Sequence, residues 1–483
     1  MAGSKSVNVA DTFKSPALKS PNLFQYEAEK QSYEFFYPSP HSAARQTTVR
    51  SAVMNLVTTL IGGGVLLLPF TIAKSGIVVG CIIMLCCATA SSFTSYILVS
   101  CSRRSGAQSY EEIARNAFGR KMQVVTMVLL ILLIFLAFVG YVILVRDIAG
   151  SLASQFIFGR TLSVADENLV AMGVVALVSP LLFLRSMHSL RHTSVIGLST
   201  VGIFAFGILF RSTEKIMSPE FDASKLTLVA DSIDGPMYAL PIVISSFLCH
   251  FNVLPVYGEL QKPTRRRLKK IVIITVFSTS VFYMILGTLG YIYAFDQLQG
   301  VQGDILNNFD QGDVVMNIGR AGILLTICMS LPLLILPTRK TIYRLYVLCH
   351  GIATTGSDGT TQETQPLIAD SPSVAADDLT EKPVPLVPHV VITLVILMLA
   401  FYLAFSLPGV AVVWNIMGST VGILISYVLP CVCYIRIRRE KPTTDWRKIG
   451  AWVLLVISGS ICFVCSVQAF HKLGAMVYGV LVA

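Results

Sequence analysis

The sequence predicts an all-α integral membrane protein of eleven transmembrane helices. Ten of them form a five-plus-five inverted repeat with helices one and six broken, and the eleventh is extra. Three observations lead there. Hydrophobic residues make up 54% of the 483-residue chain and charged residues only 13%, which excludes a soluble enzyme built round a large core. Apolar stretches approaching the roughly 20 residues needed to cross a bilayer recur from residue 51 to residue 470. Two of them, the first and the sixth, carry helix-breaking residues at their centres.

Residues 1–50 are polar and rich in Ser, Pro and Lys. They contain no apolar signal-peptide core, so a disordered cytosolic N-terminal tail is expected. The first span, Ser51–Ala73, has no charge between Arg50 and Lys74. Its midpoint is Gly62, Gly63 and Gly64, with Thr58 and Thr59 one turn before and Pro69 after. Three adjacent glycines give up helix propensity where lipid tolerates loose backbone least. Close helix packing would account for Gly62 and Gly64 alone. The full run at mid-membrane favours a substrate site, where free backbone groups meet a ligand.

The next spans are Ile77–Ser100, Met122–Val145, Leu169–Leu184 and Ser194–Phe210. The sixth, Gly235–Tyr257, has Ser245, Ser246 and Phe247 at its midpoint and is flanked by Pro241 and Pro255. These are poor material for a continuous helix. Ile271–Phe295 and Val314–Pro337 follow. The uncharged run Val390–Ile435 is too long for one helix and turns at Pro408-Gly409, making spans nine and ten. Ile449–Phe470 is the eleventh, so that 51–470 forms the membrane domain and 471–483 a short exterior or lumenal tail.

With the N-terminus inside, the interior segments carry 29 Lys and Arg and the exterior ones six, which orients the chain by the positive-inside rule. The net charge of +10 therefore reflects topology rather than a nucleic-acid partner. A five-span unit crosses an odd number of times, so its second copy enters from the opposite face. The breaks in spans one and six then occupy corresponding positions, which is the best sequence pointer to a transporter's binding site. None of the eleven cysteines falls in an exterior loop, so no exofacial disulfide is expected. No Asn-x-Ser/Thr sequon occurs. No catalytic pair, metal spacing or ring of charged filter residues stands out, so neither an enzyme nor a channel is expected, and no cofactor.

The segment Asn55–Phe70, NLVTTLIGGGVLLLPF, resembles the first span of the amino acid/auxin permease family. Tyr110–Gly119, YEEIARNAFG, resembles that family's first cytosolic loop. Cys249–Leu260, CHFNVLPVYGEL, followed by the basic KPTRRRLKK, is the most specific match. LPLLILPTRK at Leu331–Lys340 and GSTVGILISYVLP at Gly418–Pro430 are similar to its eighth and tenth spans. The resemblance runs from Arg50 to Phe470, and within the family it is nearest the sodium-coupled neutral amino acid transporters and their vacuolar relatives. It implies the inverted-repeat fold and secondary active transport of amino acids by alternating access. An amino acid sensor on the same fold, with little flux, is the alternative.

On that reading Gly62, Gly63 and Gly64 present N–H groups to a substrate carboxylate. Ser245, Ser246 and Phe247 offer carbonyls to its ammonium group and shape the pocket. The coupling ion is Na+ or H+. In the sodium-coupled branch an asparagine four residues before the first glycine helps hold sodium; that position is Thr58 here, and Asn55 stands one turn earlier. Thr326 and Ser330 on span eight are the further ligand candidates, sodium lying between Thr58 and Ser330. His250, deep in span six, is a possible pH sensor, and a neutral hydrogen-bonded histidine is the plainer expectation. Arg146 and Arg320 near span ends are expected to snorkel. No predicted span carries Asp or Glu, which points to neutral substrates.

The loop 351–387 is polar, acidic and expected to be disordered and cytosolic. Within it Glu363-Thr364-Gln365-Pro366-Leu367-Ile368 resembles an acidic dileucine sorting signal, readable by sorting adaptors. The expected partners are thus an amino acid, membrane lipid and such adaptors. The expected location is an endosomal, lysosomal or vacuolar membrane, or the plasma membrane.

Overall fold

A computed structural model describes residues 45–184, 193–354 and 385–482. The expected tail up to residue 44, most of the loop 351–387 and the motif Glu363–Ile368 lie outside the described residues. Among the described residues, ten helices are long and apolar enough to cross a membrane, and one bent pair makes up to eleven spans.

That bent pair is the first span. Helix α1, Val49–Leu60, starts at Thr48, whose side chain accepts the Ser51 N–H. A 3₁₀ turn over Gly63–Leu67 leads into α2, Leu68–Ser75, and the axis bends by 51°. Pro69 sits in the first turn of α2, where its missing N–H costs nothing, so it starts a helix rather than breaking one. Gly76, at φ +78°, reverses the chain into α3, Ile77–Ser105. A Cβ there would lie 2.7 Å from the Leu228 carbonyl oxygen, so both the turn and the packing require glycine.

A short helix α4, Tyr110–Phe118, follows a Ser109–Glu112 capping box. Helix α5, Arg120–Ala153, continues through a π-turn to Phe158. It is longer than the expected Met122–Val145 and encloses Arg146. Helices α6, Val164–Leu182, and α7, Thr193–Met217, complete the first five spans.

The sixth span is also interrupted: α8, Asp234–Ser246, then α9, His250–Glu259. The break falls at 247–249, slightly later than expected. Ser245 and Ser246 finish α8 because their hydroxyls bond back to the carbonyls of Pro241 and Ile242 four residues earlier. Pro241 and Pro255 lie inside the two halves, not at the break.

Helix α10 is Arg265–Ala294, and α11 runs over Val314–Thr354, well past the expected end at Pro337. Helix α12 is Leu386–Ser406. The tenth span is α13, Val410–Met417, then π-helical turns over Gly418–Gly422 and Leu424–Val428, then α14, Leu429–Ile437. Helix α15, Trp446–Val482, is the eleventh span. The sixth and tenth spans are deeply enclosed, 78% and 72% buried over their most apolar stretch, against 17% for the fourth and eleventh. The sixth and tenth spans therefore lie in the middle of the bundle. The chain before α1 is stitched to the end of α9: Thr47 pairs with Leu260, and Arg45 Nη1 donates to the carbonyls of Tyr257 and Leu260.

Candidate substrate and coupling-ion site

Gly62 is extended, at φ −115° and ψ −151°, a conformation open to any residue. The glycines are needed for space instead. A Cβ on Gly62 would come within 2.6 Å of the Tyr141 hydroxyl. One on Gly63 would meet the Tyr141 ring at 2.7 Å and Leu144 at 2.8 Å, and one on Gly64 the Ser246 hydroxyl at 2.9 Å and the Trp414 indole nitrogen at 3.1 Å. The run is the point at which spans three, six and ten all approach bare backbone. The Gly63 N–H donates to the Tyr141 hydroxyl at 3.4 Å, and Tyr141 stacks on Trp414 with centroids 6.1 Å apart.

A cavity of about 70 Å³ opens on this run, between the first, third, fifth and eighth spans. Its wall includes Thr58, Ile61, Gly62, Gly63, Tyr141, Gly197, Thr326 and Ser330, and no charged side chain. The structure thus brings together Thr58, Thr326 and Ser330, three of the four expected ion ligands. Thr58 donates to the Met54 carbonyl at 2.8 Å and Ser330 to the Thr326 carbonyl at 2.8 Å, and Thr326 Oγ1 lies 3.0 Å from the Gly322 carbonyl and 2.5 Å from the Thr200 hydroxyl. The Thr58 and Ser330 lone pairs are left for a cation, oxygen donors of the kind a hard ion such as sodium takes, while Thr326 already contacts the Thr200 hydroxyl. Asn55 is not in this wall. Its side-chain oxygen accepts from Asn252 Nδ2 at 3.2 Å, and the same nitrogen donates to Thr59 at 2.7 Å, tying α1 to α9.

Ser245, Ser246 and Phe247 do not line the cavity either. Of the three, Ser246 packs on another side of the glycine run, against Gly64. Ser245 Oγ points to the tenth span, within hydrogen-bonding distance of the Trp414 carbonyl, and the Phe247 carbonyl accepts from Ser91 at 2.8 Å. The Ser246 carbonyl, at the C-terminal end of α8, shares a donor with the Leu60 carbonyl at the end of α1. That donor is the Tyr283 hydroxyl, 3.1 Å from one and 2.6 Å from the other. Tyr283 and Tyr141 were legible as tyrosines at mid-span, whose hydroxyls need partners in lipid, but not as links between breaks.

His250 is fully buried, its Nε2 lying 2.7 Å from Thr94 Oγ1. It is absent from the cavity wall and edges the Tyr427 ring.

The loop between α10 and α11 reaches the site from one end. Its 3₁₀ turn, Ile305–Asn308, packs against Gly63–Leu67. Arg320 was expected to snorkel. Instead it is 1% exposed and clamps this loop, donating to the carbonyls of Leu306, Phe309 and Asp310 and to Asn317 Oδ1 at 2.6–3.1 Å. Arg146 does not snorkel either: it is buried, pairs with Asp147 and donates to the Ala404 carbonyl. Asp304, in the same loop, is buried with Oδ2 lacking a hydrogen-bond partner. Burial chiefly lifts its carboxyl to about 7; the Leu306 N–H and Arg320 oppose the rise and Asp147 adds to it.

The chain resembles known proteins along most of its length. Mhp1, a nucleobase-cation-symport-1 family transporter solved closed with bromovinylhydantoin bound, superposes with TM-score 0.55 at 12% identity, covering 90% of this chain and 94% of that one. Its inward-facing form gives 0.56 at 10% identity, covering 92% and 93%. These similarities establish the five-plus-five inverted-repeat fold with its broken first and sixth helices. Vacuolar amino acid transporter 5 of Schizosaccharomyces pombe is 26% identical over 386 residues, 80% of this chain and 83% of that protein. The family model described as transmembrane amino acid transporter protein matches residues 45–471, and the chain belongs to that family.

Proposed function

We propose that this protein is a secondary active transporter that moves neutral amino acids across a membrane by alternating access. The observation that carries the reading is the meeting of two broken helices at a buried run of bare backbone, beside a cavity walled by hydroxyl oxygens. Backbone at the N-terminal end of the 3₁₀ turn and α2 suits a carboxylate. Carbonyls at the C-terminal ends of α1 and α8 suit an ammonium group. The uncharged cavity wall supports neutral side chains.

Sodium at Thr58, Thr326 and Ser330 is the coupling ion that this wall favours. Uptake into proteoliposomes, with sodium and pH gradients imposed separately, tests both claims. Thr58→Ala is expected to raise the sodium concentration for half-maximal uptake about tenfold. Asn55→Ala, which touches Asn252 rather than the cavity, is expected to change it by less than about threefold. Uptake that ignores sodium and follows the pH gradient would assign the coupling to protons. Binding of amino acid without flux would make the protein a sensor.

We further infer a cytosolic N-terminus and residence on an endosomal, lysosomal or vacuolar membrane. The Lys and Arg bias supports the first, and the vacuolar relative and the motif Glu363–Ile368 support the second. Surface labelling should rise when Leu367 and Ile368 are both changed to alanine. An unchanged distribution would leave the motif without a sorting role.

A further inference from the structure

The cavity wall at Tyr141 is held from behind. Trp414 of α13 stacks on the Tyr141 ring with centroids 6.1 Å and planes 26° apart. It is 4% exposed and is not itself part of the wall. Tyr141 therefore stands between the indole and the space a substrate would take. Its ring can withdraw from that space only if the indole gives way first.

The indole has nowhere to go. Its six-membered ring fills the notch left by Gly140 of α5, where a Cβ would overlap Trp414 Cζ3 and lie 2.7 Å from Cε3. Its Nε1 lies 3.1 Å from the place where Gly64 would carry a Cβ. The backbone is pinned as well, on both occasions to α8. Ser245 Oγ lies 3.2 Å from the Trp414 carbonyl, and the next residue, Asn415, donates from Nδ2 to the Tyr238 carbonyl at 2.8 Å. A ring wedged among close-packed atoms does not shift without strain.

The space in front of Tyr141 is small. At about 70 Å³ the cavity holds about five to seven water-sized groups, each needing about 10–15 Å³. The atoms common to every amino acid, one nitrogen, two carbons and two oxygens, use most of that. Little is left for a side chain, and the rest of the wall offers only apolar and hydroxyl groups to it, such as Ile61, Val201 and Ile323.

We propose that Trp414, acting through Tyr141, is the residue that sets the largest side chain this protein accepts, an inference that rests on the amino acid site already proposed. Trp414 is a positioning residue: it fixes a wall and does not touch the substrate. The test is uptake of radiolabelled alanine and leucine by the full chain in proteoliposomes, each expressed as kcat/KM. Wild-type protein is expected to favour alanine by at least about tenfold. Trp414→Ala should cut that preference about tenfold or more, chiefly by raising leucine uptake. Trp414→Phe, which keeps a ring to stack, should cut it by less, and it carries the test should Trp414→Ala fail to fold. The preference is a ratio within one preparation, so a merely structural loss lowers both amino acids and leaves it unmoved. Trp452→Ala, on an exposed face of α15, should not change it. Thermal stabilisation of the purified protein by alanine and by leucine reads the same preference without flux. An unchanged preference in the folded Trp414 variants, or a wild type that takes leucine as readily as alanine, overturns the proposal and leaves transport standing. A preference altered in binding, with no flux of either amino acid, upholds the proposal and overturns transport. Neither flux nor stabilisation with any amino acid overturns both.

Discussion

Gly63→Val and Gly64→Val are each expected to abolish uptake while leaving a protein that inserts and purifies as a single species. The first added carbon at Gly63 would already overlap the Tyr141 ring and Leu144. At Gly64 it would press on Ser246 and Trp414, the contact between the two breaks. Overpacking of this kind costs about 1–3 kcal/mol, which a multi-span bundle survives. Function is less tolerant, because a displacement of about 1 Å at a site that orients its ligand costs about a hundredfold. Uptake by radiolabelled amino acid, normalised to folded protein, checks this. Near-normal kinetics in either variant would remove the glycine run from the site.

The second large effect belongs to the loop between α10 and α11. Arg320→Met removes one guanidinium and leaves the carbonyls of Leu306, Phe309 and Asp310 without it in a buried setting. A loss of about 3–5 kcal/mol is expected. It should appear as a fall of several degrees in melting temperature and as proteolysis within 300–313 before the rest of the bundle.

The same loop should respond to pH through Asp304. Its carboxyl titrates at about 7 when docked, against an ordinary value of 3.8. The docked loop therefore holds a proton that the released loop gives up. Docking is favoured below the ordinary value and weakens as pH rises from about 4 to about 7, by up to about 1.4 kcal/mol per unit, then levels off. The facing charges are Asp147 and Arg320. Asp304→Asn should flatten the fall in melting temperature between pH 5 and pH 7.5. An unchanged slope would show that Asp304 does not carry it.

Much of this architecture was legible because lipid enforces simple rules. Apolar length marked the spans, and glycine at mid-membrane marked the first break. The second break was found in the right helix but misplaced. Serine reads as a helix weakener in sequence, yet Ser245 and Ser246 satisfy themselves on carbonyls four residues back and extend α8. Thr58, Thr326 and Ser330 do meet at one cavity, as the family resemblance led one to expect, Thr326 and Ser330 standing one turn apart on α11. Asn55 lies outside the cavity wall, and register along α1 does not reveal that Asn252 of α9 faces it. Arg320 and Arg146 read as interfacial cations; only the fold shows the carbonyls that make their burial affordable.

Tyr283 has a consequence for how the carrier moves. Its hydroxyl owns one proton and stands between two acceptors, the Leu60 carbonyl of the first span and the Ser246 carbonyl of the sixth. The two claims are unequal. Leu60 also receives the Gly62 N–H at 2.9 Å, so it keeps a donor when the tyrosine turns away. Turning toward Ser246 therefore leaves both carbonyls with a donor, whereas turning toward Leu60 withdraws the Tyr283 donor from Ser246. The hydroxyl is a toggle between two acceptors, each belonging to one of the halves that must rock against the other. A continuous hydrogen-bond ladder through either span would have to be broken for that motion; a toggle only has to be thrown.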